Sequence, residues 1–276
     1  MIAERPRHGY GLRVPHYAAL LEHGASAPCV EAITENFLNR GGRARAVLDR
    51  VRRDSEVVLH GVSLSIGSTD PLDLGYLGAI RDLARSIEAT WISDHLCFGS
   101  VEGRRAHDLW PLPFTEEALA HVVNRVRRVQ DVLGTRLLLE NVSSYVEYRC
   151  STIPEWEFLR EVAQCADAFL LLDVNNVHVN SKNHGFSSET YLDALSPERV
   201  KQIHLAGHTD CETHAIDDHG SAVPRPVWEL YRHTVRRFGP VVTIVEWDEN
   251  VPELDVLRAE SGKAQRIERE VLDESR

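Results

Sequence analysis

Short apolar runs of strand length alternate with segments of helical periodicity along the chain. The strand-like runs are GYGLRVP (9–15), VEAITENF (30–37), EVVLHGVSLSI (56–66), ATWISDHLCF (89–98), TRLLLENVS (135–143), AFLLLDVNN (168–176), RVKQIHLAGH (199–208) and VVTIVEWD (241–248). Several are continuous rather than alternating, Leu137-Leu138-Leu139 and Phe169 through Leu172 among them. Strands apolar on both faces belong in a parallel sheet covered by helices. Between the runs, Leu119, Val122, Val123, Val126, Val129 and Leu133 share one helical face, behind Thr115 as N-cap and Glu116 and Glu117 in the first turn. A second helix is predicted from Ser151-Thr152, with Pro154 in its first turn, through Trp156, Leu159 and Val162. A third starts at Pro224-Arg225-Pro226 and presents Val227, Leu230, Tyr231 and Phe238.

Eight strands separated by crossovers predict an α/β fold, a (β/α)8 TIM barrel, as a single domain over residues 1–276 with its core at about 9–258. A doubly wound open sheet would use the same alternation, but it usually advertises a Gly-rich phosphate turn, which is missing here. Two connections, 99–114 and 207–223, are long enough to suggest functional loops. Residues 259–276 alternate charges around Gly262 and read as a solvated helix or frayed tail.

Composition narrows the function classes. A 43% hydrophobic and 26% charged balance is that of a globular protein. The net charge of −11 repels phosphate backbones, so no nucleic-acid partner is expected. No run of 18 apolar residues suggests a membrane span, and MIAERPRHGYG holds no signal-peptide stretch. The five cysteines form no CxxC pair, which fits a reducing, cytoplasmic location. Histidine stands out at 14, matching Phe and Tyr together at 7 each, and raises the question of a metal.

The informative feature is what terminates each apolar run. His60, His95, Glu140, Asp173, His204 and Glu246 end strands three to eight at successive gaps of 35, 45, 33, 31 and 42 residues. Each gap is one βα unit, so in a barrel these side chains converge on the catalytic face. Carboxylates gathered there repel one another unless a cation intervenes. Imidazole with carboxylate suits zinc, iron or manganese, and more ligands than one tetrahedral ion needs suggests two or three ions. Core hydrogen bonding or helix capping explains one such residue readily, but less readily six in register. Asp217-x-His219, in the loop after strand seven, offers a pair for a further ion, unless it is simply an acidic turn ending in Gly220.

These residues resemble the series used in the xylose-isomerase-like TIM-barrel superfamily, including its trinuclear apurinic-site endonucleases, which carry a histidine where this chain has Asn176. The strings GYGLRVPHY, TENFL, HGVSLSIGSTDPLD, SDHLCF, HDLWPLPFTEEAL, LLLENVSSYVEY, EWEFL, LLLDVNNVHVN, NHGF, IHLAGH and IDDHGS are similar to the multinuclear non-haem iron-dependent oxidative enzymes, most of all the bufferin maturases. The resemblance runs from about residue 9 to 258. It implies a peptide-modifying oxidase that uses two or three irons, mixed Fe(II)/Fe(III), with dioxygen as co-substrate. The substrate would be cysteine residues of a ribosomally synthesised precursor peptide, delivered with a separate leader-recognition partner protein. Carried over by position, His60, His95, Glu140, Asp173, Asn176, His204, Asp217, His219 and Glu246 would be the iron ligands. Glu140, a bridge, would join Asp173 and His204 in the chemistry.

Secondary candidates surround this set. Glu35 and Asn36 end strand two, Asp94 precedes His95, and Asn141 follows Glu140. His178 and His184, with Asn180 and Asn183, follow strand six as candidates to orient ligands or substrate. His107 and Asp108 lie in the first long loop and are candidates to contact peptide. The residue types alone also suit a zinc- or manganese-dependent hydrolase or sugar isomerase, or a non-catalytic metal-binding protein. An isomerase would want a lysine or histidine beside its metal pair, and of Lys182, Lys201 and Lys263 only Lys182 falls near the mouth.

Overall fold

The computed structural model describes residues 8–38 and 41–274, apart from the side chain of His107. Its strands are β1 (His8–Gly11), β2 (Cys29–Ile33), β3 (Glu56–Gly61), β4 (Ile92–His95), β5 (Phe98–Val101), β6 (Arg104–Trp110), β7 (Leu137–Glu140), β8 (Phe169–Asp173), β9 (Val200–Leu205), β10 (Thr209–Asp210), β11 (Ala215–Ile216) and β12 (Val242–Val245). Its helices are α1 (Tyr17–His23), α2 (Gly42–Val51), α3 (Leu74–Ile87), α4 (Glu116–Leu133), α5 (Glu155–Cys165), α6 (Val174–His184), α7 (Ser188–Ala194), α8 (Arg225–Phe238) and α9 (Leu254–Glu274).

Eight strands close into a barrel in the order β1-β12-β9-β8-β7-β4-β3-β2. All pairings within it are parallel, so every strand C-terminus opens on the same mouth. The continuous apolar strands are buried on both faces, as Leu137 through Leu139 and Leu170 through Leu172 show. Register places His95 opposite Glu140 and Asp173 opposite His204. The fold is the (β/α)8 barrel that the alternation predicts.

The apolar runs overshoot the strands at their C-terminal ends. Thr34–Phe37 turns into a 3-10 helix, and α6 starts immediately after Asp173. There the Asp173 carboxylate caps the new helix, Oδ1 accepting from Asn176 N at 2.6 Å. Thr115 caps α4 as expected, accepting from Ala118 N. The helix expected from Ser151 starts only at Glu155. Thr152 N and Ile153 N both donate to Phe114 O, and Ser151 Oγ accepts from Phe114 N, so the segment is tied to the preceding loop.

Both long connections contain short antiparallel pairs rather than loop alone: β5–β6 in the first and β10–β11 in the second. The C-terminal segment is a helix, solvated on one face only. Helix α9 buries Leu257, Ala264, Ile267, Glu268 and Val271 and packs across β1 and β12 and along α8. Its charged positions masked an apolar stripe of helical spacing. Among the described residues, no helix is long and apolar enough to cross a membrane.

Glu268 is a carboxylate inside that packed face. Its Oε2 lies 3.6 Å from His8 Nε2 and has no hydrogen-bond partner. Burial pushes its pKa up to about 7, and His8, also buried, is pushed down to about 4, so the pair carries no charge near pH 5. A raised carboxylate contributes stability that is present at low pH and lost as pH rises through about 7. Glu268→Gln is therefore expected to raise stability at pH 8 by about 1–2 kcal/mol, allowing for screening, and to change it little at pH 5. Thermal denaturation at the two pH values measures this; equal effects at both would contradict it.

Candidate metal centre

The barrel register gathers the strand-terminal residues into one buried cluster. His60 ends β3 one residue early, His95 ends β4, Glu140 ends β7 and Asp173 ends β8. His204 lies on β9 and Glu246 directly follows β12, and all six are buried. Glu140 is central. Its Oε2 lies 3.1 Å from both His60 Nε2 and His95 Nε2, and its Oε1 lies 3.1 Å from His204 Nδ1. His204 Nδ1 is also 3.0 Å from Glu246 Oε2 and 3.9 Å from Asp173 Oδ2.

The loop after β9 completes the cluster. His219 Nε2 is 2.8 Å from Asp217 Oδ1 and 3.9 Å from Asp173 Oδ2. Its Nδ1 lies 3.3 Å from Glu246 Oε2 and 3.2 Å from Asp248 Oδ2. His219 sits at φ +45°, a left-handed conformation that a histidine adopts only under constraint, and its carbonyl accepts from Asp248 N at 2.9 Å. Asn176, at the start of α6, reaches the same cavity as His60, Glu140 and His219. Its Nδ2 donates to Asn141 O at 3.1 Å.

Three donor groupings meet the spacing of a metal site: His60–His95–Glu140, Glu140–Asp173–His204–Glu246, and His219–Glu246–Asp248. A direct test of fit is whether buried atoms lack a partner that an ion would provide. Glu140 Oε2, Asp173 Oδ2, Asn176 Oδ1 and His219 Nε2 are all buried without a hydrogen bond. The proton equilibria register the same tension. Burial drives the Asp173 carboxyl well above its ordinary range, helped by the charges of Glu140 and Asp217. Burial would lower His60, but Glu140 and Glu31 outweigh it and raise it to about 9. His204 and His219 are likewise raised against burial, by Glu31, Glu246 and Glu140 and by Asp217 respectively. Without an ion, the carboxylates draw protons onto His60, His204 and His219, whereas burial lowers His95. A bound cation takes over that role, and the donors fit one or more divalent or trivalent ions.

Each ligand candidate has a partner that fixes its ring. Ser93 Oγ lies 2.8 Å from His60 Nδ1, and Gly61 O lies 3.1 Å from His95 Nδ1. Glu31 Oε2 lies 2.9 Å from His204 Nε2, and Gln202 also donates to that carboxylate. Trp91 Nε1 in turn donates to Gln202 Oε1 at 2.6 Å. Asn141 ties two strands through Asp173, donating to its carbonyl and accepting from its N–H, both at 2.9 Å.

Other expected residues fall around rather than inside the cluster. Asp94 is buried behind His95, accepts from His95 N and Leu64 N, and is raised to about 8 by burial and by Glu35. Glu35 accepts from Val62 N and from the Tyr76 hydroxyl. Asn36 is exposed. Asp108 lines the mouth, whereas the side chain of His107 lies outside the described set. His178 packs on the His208 ring at 5.0 Å, and His184 Nε2 is 2.7 Å from Ser144 Oγ, so neither joins the donor cluster. Asn180 and Asn183 hold backbone: Asn180 at Ser144 N and Val142 O, Asn183 at Ala215. Lys182 is exposed and paired with Asp210.

Sequence reasoning missed Glu31, Gln202, Arg13 and Asp248. A carboxylate inside the apolar run of β2 was a legible signal for Glu31, and strand alternation puts Gln202 beside His204 and Asp248 beside Glu246. Arg13 carried no such mark.

The cluster faces a cavity of about 250 Å³. A neighbouring groove of about 1010 Å³, between the start of α3 and the β5–β6 hairpin, shares Val62, Asp108 and Leu109 with it.

Comparison with known proteins adds to this geometry. Residues 7–269 match the family model described as RiPP precursor modification enzyme MbnB/TglH/ChrH. The UPF0276 protein of Anaeromyxobacter sp. (strain Fw109-5) is 60% identical over 265 residues, 96% of this chain and 94% of that protein. The UPF0276 protein of Acaryochloris marina (strain MBIC 11017) is 46% identical over 256 residues, 93% of this chain and 92% of that protein. Among solved structures, D-psicose 3-epimerase from Clostridium cellulolyticum H10 superposes with a TM-score of 0.62 at 12% identity, covering 96% of this chain and 99% of the epimerase. That likeness concerns the fold.

Because Glu31 touches His204 on the side away from Glu140, Glu31→Gln is expected to weaken divalent-metal binding by roughly 10–100-fold. Calorimetric titration of the chelator-treated protein with Co2+ measures it. Unchanged affinity would show that the Glu31–His204 contact is structural only.

Proposed function

The chain belongs to the MbnB/TglH/ChrH family of RiPP precursor modification enzymes, and from that membership and the site we propose a multinuclear iron oxidase that uses dioxygen to modify cysteines of a precursor peptide. The single observation that carries this reading is the set of partnerless buried donor atoms around Glu140 and Asp173 at the barrel mouth. The proposed ligands are His60, His95, Glu140, Asp173, Asn176, His204, Asp217, His219 and Glu246. Iron, when bound, supplies one-electron redox chemistry and open positions for a thiolate and dioxygen.

The chain's own residues prepare that chemistry. Glu140 presents one oxygen to His60 and His95 and the other to His204, so it can join two ions. Ser93, Gly61 and Glu31 hold the three rings by their opposite nitrogens, so the remaining nitrogens point at Glu140. Asn141 locks the Asp173 backbone against β7, and the bond from Asn176 N to Asp173 Oδ1 leaves Oδ2 toward the cluster. The mouth cavity accepts one cysteine side chain, while the adjoining groove leaves room for residues on one side of it. Among the described residues lining the mouth there is no Lys or Arg, and the nitrogen donors there are His60, His95 and His219. In this reading the chain acts as the bufferin maturases it resembles do, with a separate protein presenting the peptide leader. No disulfide joins the five cysteines, which supports a cytoplasmic enzyme.

The test is anaerobic purification with metal analysis, then co-expression with a Cys-containing precursor peptide and mass measurement with and without oxygen. We expect bound iron and an oxygen-dependent mass change confined to cysteines. His204→Ala should lower the iron content at least tenfold and abolish the mass change. Zinc alone, with an unaltered peptide, would contradict the reading.

A further inference from the structure

Of the three donor groupings, one differs in kind. Arg13, which follows β1 by two residues, is only 7% exposed and lies against His219–Glu246–Asp248. Its Nη2 donates to Glu246 Oε1 at 2.9 Å and its Nε to Asp248 Oδ1 at 2.7 Å. The second oxygen of each carboxylate faces His219 Nδ1, at 3.3 Å from Glu246 Oε2 and 3.2 Å from Asp248 Oδ2. Each carboxylate is thus shared between a guanidinium and an imidazole. Glu140 Oε2 and Asp173 Oδ2 make no hydrogen bond, whereas Asp248, the exposed member of this grouping, pairs its Oδ2 with His219 Nδ1.

The guanidinium is built in. A Cβ on Gly11 would come within 2.5 Å of Arg13 Nη1 and 2.9 Å of its Cζ, so the glycine makes room for it. Guanidinium is always charged and matches two carboxylates through fixed, divergent N–H groups. It therefore satisfies this grouping as an ion would, without being exchangeable.

We propose that Arg13 is the resident cation of the His219–Glu246–Asp248 grouping, so that no metal ion binds there and His219 directs Nε2, not Nδ1, toward the metal. The proposal rests on the metal-centre reading above. With Nδ1 engaged by Glu246 and Asp248, the Nε2 lone pair faces Asp217 and Asp173 Oδ2. Asp248 then orients a ligand and is not one. Glu246 keeps Oε2 toward His204 while Oε1 is committed to Arg13.

The experiment counts metal. Chelator-treated protein is loaded anaerobically with Co2+, and the ions per chain are read by native mass spectrometry and elemental analysis. Arg13→Met opens the grouping to a cation and raises the count by one per chain over wild type. Arg13→Lys, which keeps a cation, and the double variant R13M/D248N, which removes a donor, both return to the wild-type count. Asp248→Asn alone, in a protein that keeps Arg13, leaves the count unchanged. An unchanged or lower count in folded Arg13→Met, or loss of one ion in Asp248→Asn, would overturn the proposal. If Arg13→Met does not fold, the Asp248→Asn count decides. Wild-type protein that binds no Co2+ would overturn the metal-centre reading itself, an outcome distinct from a bound but unaltered count.

Discussion

Carboxylates buried together must be given positive charge, and the mouth of this barrel is organised by that requirement. Glu31, Glu140, Asp173 and Glu246 are all buried within one cluster, where water can screen little of their repulsion. Imidazoles interleave them: His204 alone touches Glu31 on one nitrogen and Glu140 and Glu246 on the other. Arg13 closes one corner. Glu140 Oε2 and Asp173 Oδ2 face imidazole nitrogens without forming a hydrogen bond and mark where an ion would complete the charge balance. Buried ionic groups stabilise a fold little compared with apolar packing, so a cluster this large is accounted for better by a bound cation than by stability.

The barrel supplies the rigidity that such a cluster needs. Parallel pairing sets Glu140 beside His95 and His204 beside Asp173 without any loop having to place them. Beneath the mouth, the Trp91–Gln202–Glu31 chain of hydrogen bonds fixes His204 from the barrel interior. Asp173 serves twice, capping α6 with Oδ1 while presenting Oδ2 to the cluster. The β5–β6 hairpin and the loop after β9 border the opening.

Much of this was legible in the chain because barrel geometry converts sequence spacing into position. Polar residues ending apolar runs once per βα unit identified His60, His95, Glu140, Asp173, His204 and Glu246, and the structure brings them together. Residues that act from beneath or beside the cluster were harder to read. Glu31 lies within an apolar strand rather than at its end, and Arg13 reaches Glu246 across 233 residues of sequence. The packing of the C-terminal helix was obscured because α9 carries charges between its buried positions. His178 and His184 carried a suggestive residue type, but α6 turns them toward His208 and Ser144. Type alone does not place a side chain.

We propose that the mouth holds more than one iron. Anomalous diffraction at the iron edge, on crystals grown anaerobically from iron-loaded protein, tests it most directly. At least two iron peaks are expected inside the barrel mouth, one among His60, His95 and Glu140 and another beside Asp173. Density for no iron there, or for a single ion held away from Glu140 and Asp173, would contradict it.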